Sequence, residues 1–220
     1  MSLPLLYADE LAGFSRSRAM LVLWVGMPVV ALAIHALQPN LQGQMSLTVF
    51  STLIVSSISS TISAVMLSVG IIHEKSRGVY ALFLVRPVKR RNILLAKFFA
   101  VLTCILVAAA ITLAVGMAYD WLRGGMPDLA VLVEVGRSAV TAIASIGIAS
   151  AAGILIGILS PSVIVGAILV IYGANQLSVL GFLPILLGLE PAWLYSLAIG
   201  VPLSVLLLTV SVALFNRKQF

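Results

Sequence analysis

The sequence predicts an all-α membrane protein that crosses the bilayer several times. Of the 220 residues, 61% are hydrophobic and only 9% are charged, whereas a soluble domain is about half apolar and one quarter charged. The mean hydropathy of +1.18 means that apolar segments recur along the whole chain. A soluble enzyme is therefore excluded. The net charge of +6 does not indicate nucleic-acid binding, because the basic residues are not gathered on a solvated domain.

A transmembrane helix needs about 20 apolar residues, and six stretches of the chain are predicted to cross the membrane. Residues 20–37, 47–72, 98–119 and 138–159 contain no Asp, Glu, Lys or Arg, and each is long enough to cross. Residues 163–179 and 193–215 complete the set. The intervening residues 180–191 contain Gly181, Pro184 and Gly188, which predict a partly re-entrant turn near the outer face. The alternative is an ordinary external loop.

The residues before the first span predict a helix that lies along the membrane interface. Leu3, Tyr7, Leu11 and Phe14 recur at helical spacing within residues 1–19, whereas Asp9, Arg16 and Arg18 lie off that stripe or at its end. The alternative is a short frayed terminus.

The distribution of basic residues predicts the orientation of the chain, because cytoplasmic loops carry an excess of Lys and Arg. If both termini are cytoplasmic, 11 of the 13 basic residues lie inside, seven of them in residues 73–97. Only Arg123 and Arg137, beside the external connection that follows the third span, remain outside. The sequence therefore predicts a multi-pass protein of the plasma (inner) membrane with cytoplasmic N and C termini.

No set of residues for chemistry can be assembled from the sequence. The six predicted spans contain no carboxylate, and the acidic residues Asp120, Asp128 and Glu134 are predicted to be solvated in the loop after the third span. We therefore predict no enzymatic activity and no metal site. The chain also lacks the P-loop pattern G-x-x-x-x-G-K-[ST], so it is predicted to bind no cofactor itself. If the protein uses ATP, another chain must bind it.

Hydroxyl side chains share one face of the second predicted span. Thr52, Ser56, Ser59 and Ser63 recur on this face at helical spacing. Such a face indicates either close helix packing or the lining of a translocation path. Asn175, in the fifth span, is assigned to the same hypothetical path.

A ridge of small residues runs along the fourth predicted span. Thr141, Ser145, Ala149, Gly153 and Gly157 follow one another at four-residue intervals, which extends a G-x-x-x-G motif. This spacing predicts a tightly packed partner helix, either in the same chain or in a second copy.

Residues 73–97, between the second and third spans, contain the most informative pattern. Val79, Leu82 and Phe83 form an apolar stripe, and Pro87 can open a new helical turn among the basic residues. Two short helices with a break between them are predicted. By charge alone, such a loop indicates a topology determinant that binds anionic lipid.

The run HEKSRGVYALFLVRPVKRRNILLAK within this segment resembles the signature that follows the second span in type-2 ABC transporter permeases. The matching positions are Glu74, Gly78, Leu82, Pro87, Arg90, Ile93, Leu94 and Lys97. The resemblance extends to the whole chain, since that family has six spans, cytoplasmic termini, an interfacial N-terminal helix and short re-entrant helices before the sixth span.

The resemblance implies a half-transporter, the permease subunit of an ATP-driven exporter. Its cytoplasmic segment would act as a coupling helix seated on a separate ABC-type ATPase subunit. The residues implied in coupling are Glu74, Gly78, Leu82, Arg86, Pro87, Arg90 and Arg91. Two ATPase copies, which would bind ATP and Mg, and a second permease, identical or homologous, would complete the assembly. The mildly polar path favours amphipathic or lipid-like cargo. The alternative is a non-transporting membrane scaffold or anchor subunit.

Overall fold

The computed structural model describes residues 3–37, 47–78, 90–124 and 128–217. Within these ranges the chain is helical and contains no β-strand. The α-helices are α1 (Leu3–Ser15), α2 (Arg18–Leu37), α3 (Leu47–Ser76), α4 (Arg90–Gly124), α5 (Leu129–Leu159), α6 (Val163–Leu169), α7 (Asn175–Val179), α8 (Leu183–Leu186) and α9 (Ala192–Arg217). A π-helical turn, Val170–Ala174, joins α6 to α7.

Four of these helices are long and apolar enough to cross a membrane. They are Ser57–Ser76, Arg91–Leu122, Leu129–Leu159 and Ala192–Arg217. The bent pair Leu3–Ser15 and Arg18–Ile34 makes a fifth candidate, and Val163–Val179 is a shorter apolar helix. The predicted class, an all-helical membrane protein, is confirmed, with four or five candidate spans where the sequence predicts six.

The bend between α1 and α2 amounts to 65° and has a local cause. The backbone N–H of Met20 donates to the hydroxyl of Ser17 at 3.2 Å, so that Ser17 caps the N-terminus of α2. The helix predicted over residues 1–19 is therefore α1, and it ends at Ser15 because a new helix starts at Arg18.

Several helices continue beyond the apolar runs that predict them. α4 has 35 residues, or about 52 Å at 1.5 Å per residue, which exceeds the roughly 30 Å hydrocarbon core. Charged ends of a long helix extend into water or headgroups, so the backbone does not need to leave the helix where the apolar run stops. The loop prediction for Asp120 and Glu134 is wrong for this reason, since they lie on α4 and α5.

Helix α5 is the central element of the described fold. In its most apolar window 78% of the residues are buried, against 22% to 44% in the other three long candidates. It packs against α3 on one side and α9 on another. The remaining residues before α9 form short helices and turns, and Gly188 adopts a φ of +64°, a left-handed conformation that glycine tolerates.

Candidate functional site

A cluster of charges around the buried Lys97 joins three helices at the base of segment 73–97. The Lys97 ammonium, near the start of α4, lies 2.5 Å from Oε1 of Glu74 and 2.7 Å from Oε1 of Glu10. The Phe14 ring is 6.0 Å from the same ammonium, measured to its centroid. We call these four residues the Lys97 cluster. Because Glu10 and Phe14 lie on α1 and Glu74 lies near the end of α3, the cluster ties α1, α3 and α4 together.

Further contacts hold α1 and α2 along α4. The Tyr7 hydroxyl and the Thr103 hydroxyl are 2.9 Å apart and form a hydrogen bond. The indole N–H of Trp24, on α2, donates to the Cys104 carbonyl at 3.2 Å. The position of Glu10 beside Lys97 therefore follows from packing along two helices, and does not depend on the ion pair alone.

Burial makes the ionic contacts of this cluster energetically important. Lys97 is only 3% exposed, and its charge would be costly there without the two carboxylates. Burial raises the pKa of Glu10, although the nearby ammonium of Lys97 opposes the shift. The second oxygen of Glu74, Oε2, is buried and has no hydrogen-bond partner among the described residues. The opposite charges of Lys97 and the two glutamates thus stabilise one another in this cluster.

Gly78 ends α3 just beyond the cluster. Its φ is +66°, and its N–H donates to the Lys75 carbonyl at 3.2 Å. Glycine at this position is the usual residue for ending a helix in the left-handed conformation, because a side chain would be strained there. Gly78 therefore sets the direction in which the chain leaves α3.

The other residues implied in coupling are only partly described. Arg91 is exposed on the first turn of α4, and Arg90 begins that helix, although its side chain is not among those described. Leu82, Arg86 and Pro87 lie outside the described residues, as does the middle of the segment in which two short helices are predicted.

The hydroxyl face of α3 is buried where its side chains are described. Ser59 and Ser63 are fully buried; the Ser59 hydroxyl donates to the Met27 sulfur at 3.9 Å, and that of Ser63 donates to the Ser60 carbonyl. Thr52 and Ser56 lie on the same helix, but their side chains are outside the described part. This burial favours helix packing over a translocation path at Ser59 and Ser63.

Asn175 lies against a different face of α3. Its Oδ1 accepts a hydrogen bond from Thr61 at 3.3 Å. Thr61 follows Ser59 by two residues, about 200° around the helix, so Asn175 and the buried serines are not brought together.

The Thr61–Asn175 hydrogen bond predicts a measurable coupling between two substitutions. We expect Thr61→Val and Asn175→Leu to be non-additive by about 0.6 kcal/mol, the average for hydrogen bonds between membrane helices. A double-mutant cycle would measure this coupling. It compares the unfolding, in mixed detergent micelles, of the wild-type protein, the two single variants and the double variant. Thr209→Val is the matched control, because the Thr209 hydroxyl donates within its own helix, to the Leu206 carbonyl. Strict additivity would contradict the bond.

The ridge of small residues on α5 packs within the chain. A Cβ added to Gly153 would lie 2.5 Å from the Ala64 carbonyl oxygen, and one added to Gly157 would lie 3.0 Å from the Ser68 Cα, so α3 approaches the backbone of α5 at both. At Ser145, the partner is Gly181, where an added Cβ would meet the serine side chain. Ala149 and Thr141 are also buried. The partner helix along Gly153 and Gly157 is α3.

Sequence reasoning missed the contribution of Glu10 to the site. Lys97 is the last position of the signature, and Glu10 precedes it by 87 residues without a local pattern that connects the two. The sequence did contain one signal, the Glu10 carboxylate on the helix before the first span. A charge that faces apolar surface needs a partner, so this position indicates a buried ionic contact. Among the described residues, no three His, Cys, Asp or Glu side chains lie close enough to hold a metal ion.

The fold and the site together define a helical membrane protein with a buried ionic junction of three helices. No known family model matches the chain, and no curated protein matches it.

Proposed function

We propose that this chain is the membrane-spanning permease subunit of an ATP-driven ABC exporter. The observation that carries the proposal is the contact between Glu74 and Lys97. These are the first and last matching residues of the signature in segment 73–97, and they form an ion pair 2.5 Å long in which Lys97 is buried and Glu74 is partly exposed. The motif thus has a physical reason for its two charged ends, because they hold the two ends of the segment together.

The ion pair makes the two flanking helices respond together. Glu74 and Lys97 are 23 positions apart, and the pair closes the chain between them into a loop with a fixed base. Force applied to this loop is transmitted to the end of α3 and the start of α4 at once. Both continue as long helices, so a displacement at the loop moves the helices and does not only bend a flexible connection.

The first helix belongs to the same mechanical unit. Glu10 shares the ammonium of Lys97, and Tyr7 bonds Thr103 farther along α4. In this proposal α1 lies along the cytoplasmic interface. It limits the tilt of α4 relative to the membrane plane, so that a push from the coupling segment shifts the helix bundle as a body.

The proposed assembly contains two permeases and two ATPase subunits. The ATPase subunits bind ATP and Mg, and their closure pushes the coupling segments of the two permeases, which are identical or homologous. The protein lies in the plasma (inner) membrane, and both of its termini are cytoplasmic. Six spans are proposed, formed by α2, α3, α4, α5, the Val163–Val179 helix and α9. The absence of carboxylates from the predicted spans favours amphipathic or lipid-like cargo.

Charge reversal in the coupling segment tests this proposal. We expect Arg90→Glu with Arg91→Glu to reduce the amount of co-purified P-loop ATPase by at least about tenfold, because a lost charge pair at an interface costs about 2 kcal/mol or more. Pro87→Ala should lower ATP-driven transport in proteoliposomes while the ATPase stays bound. The measurements are quantitative pull-down from native membranes and ATP hydrolysis of the purified complex.

Arg217→Glu is the matched control, since it reverses an exposed basic residue at the end of α9. It should leave the ATPase bound. If wild-type membranes yield no P-loop chain, or if the reversal at Arg90 and Arg91 abolishes only membrane insertion, the segment is a topology determinant of a scaffold subunit and the proposal is wrong.

A further inference from the structure

An apolar groove runs between α2 and α3 on the surface of the protein. Its cavity volume is about 400 Å³. Val22, Gly26 and Val30 form the wall on α2, and Ile58, Ile62 and Met66 form the wall on α3. Each set recurs at four-residue intervals, so the two walls run along their helices. We call this feature the α2–α3 groove.

The groove has free space beside Gly26. A Cβ added to Gly26 would meet no atom within 4 Å, so the space beside this residue is empty. From Ala19 to Val30 the groove follows 11 helical steps, or about 16 Å. That length equals about one leaflet of a bilayer whose hydrocarbon core is about 30 Å thick. The groove therefore has the length of an extended acyl chain within a single leaflet.

Two arginines lie at the end of the groove nearest the α1–α2 corner. Arg18 precedes Val22 by one turn on the same stripe of α2, and Arg16 lies in the corner itself. Both side chains are exposed, and neither forms an ion pair within the described part of the chain. The carboxylates of Glu10 and Glu74 are engaged by Lys97 instead. Positive charge is thus available where the groove reaches the membrane surface.

A lipid fits these features better than a helix of another subunit does. A helix with its side chains is about 10 Å wide, about the spacing between two packed helices, so it would lie over the groove and reach into it only with single side chains. An acyl chain is thin enough to lie within it. A phosphate also provides the anionic partner that exposed arginines favour at a membrane surface.

We propose that the α2–α3 groove binds one acyl chain of an anionic phospholipid whose phosphate contacts Arg16 and Arg18. The lipid belongs to the leaflet on the side of the α1–α2 corner. This site is independent of ATP coupling and of the nature of the cargo, so it stands or falls separately from the proposed function. Bound in this way, the lipid fills the gap beside Gly26 and joins α2 to α3.

Native mass spectrometry of the full chain in mild detergent tests the site, with phosphatidylglycerol and phosphatidylcholine as probes. We expect the wild-type protein to retain one phosphatidylglycerol and to prefer it to phosphatidylcholine. Gly26→Leu should abolish retention by filling the groove. Arg16→Gln with Arg18→Gln should remove the preference, by about fivefold for each arginine.

Gly136→Leu is the matched control, because an added Cβ there also meets no atom within 4 Å but lies on α5, away from the groove. It should retain the lipid. Val22→Trp, at a side chain 71% exposed, fills the groove by a second route if Gly26→Leu does not fold. The proposal would be overturned if a groove-filled variant retained as much phosphatidylglycerol as the wild-type protein does. Equal binding of both lipids to the wild-type protein would also overturn it. The same holds if a groove-filled variant no longer binds a second copy of the chain but still retains the lipid, because the groove would then be a contact between copies.

Discussion

Replacing Lys97 by methionine is expected to destabilise the protein by about 3–5 kcal/mol, the cost of removing one partner from a buried ionic contact. Methionine keeps most of the side-chain length, so the loss comes from charge and not from a cavity. Glu10 and Glu74 would then face each other at a partly buried position without the Lys97 ammonium between them. Thermal unfolding of the purified protein in detergent, followed by circular dichroism, measures the effect.

The pH dependence of this variant has a definite sign. Burial already holds the pKa of Glu10 above its ordinary value of 4.5, and removal of the Lys97 ammonium removes an interaction that lowers it. The folded variant therefore binds more protons than its unfolded chain does as the pH falls toward the raised pKa, and its stability rises there. We expect the difference from wild type to shrink as the pH is lowered from neutral toward about 5.

Two comparisons separate the cluster from a general effect of lost positive charge. Arg91→Met removes an exposed cation from the same helix and should leave the melting temperature nearly unchanged. The triple variant Glu10→Gln, Glu74→Gln and Lys97→Met removes every charge of the cluster and should recover much of the stability, because no unpaired charge stays buried. A wild-type melting temperature for Lys97→Met would contradict the ionic junction.

Gly153→Ala is expected to destabilise the protein by about 1–3 kcal/mol, although alanine is the better helix former. The added Cβ would lie 2.5 Å from the Ala64 carbonyl oxygen and 2.7 Å from the Ala64 Cα. Because both neighbours are backbone atoms, the clash cannot be relieved by a side-chain rotation. Helix α3 must move away from α5, which loosens the main packing contact of the fold. Unfolding in mixed detergent micelles would give the size of the loss.

Gly136→Ala provides the control on the same helix. Its added Cβ meets no atom within 4 Å, so the substitution should be neutral or stabilise by up to about 1 kcal/mol through the lower entropy of the unfolded chain. Destabilisation by Gly153→Ala and none by Gly136→Ala is the expected result. Equal effects would mean that α3 does not approach Gly153 so closely.

The class of the protein and its main helices can be predicted from the amino-acid sequence, because both depend on local composition. An uncharged run of about 20 residues is apolar wherever it lies in the fold. The helices that contain residues 98–119, 138–159 and 193–215 can therefore be predicted without knowing which helices pack against them. The four-residue spacing that ends at Gly153 and Gly157 likewise predicts a close helix contact, since small residues permit it with any partner.

Contacts between residues that are far apart in the sequence depend on how the helices pack, and the local sequence pattern does not contain that information. The sequence alone left open whether Ser59 and Ser63 line a path, and burial against α2 and within α3 favours packing. Glu10 meets Lys97 across 87 positions only because the chain turns at Ser17, between α1 and α2, and α1 lies along α4. The groove beside Gly26 likewise exists only between two packed helices. Such contacts arise from the relative placement of whole helices, which many distant side chains set jointly.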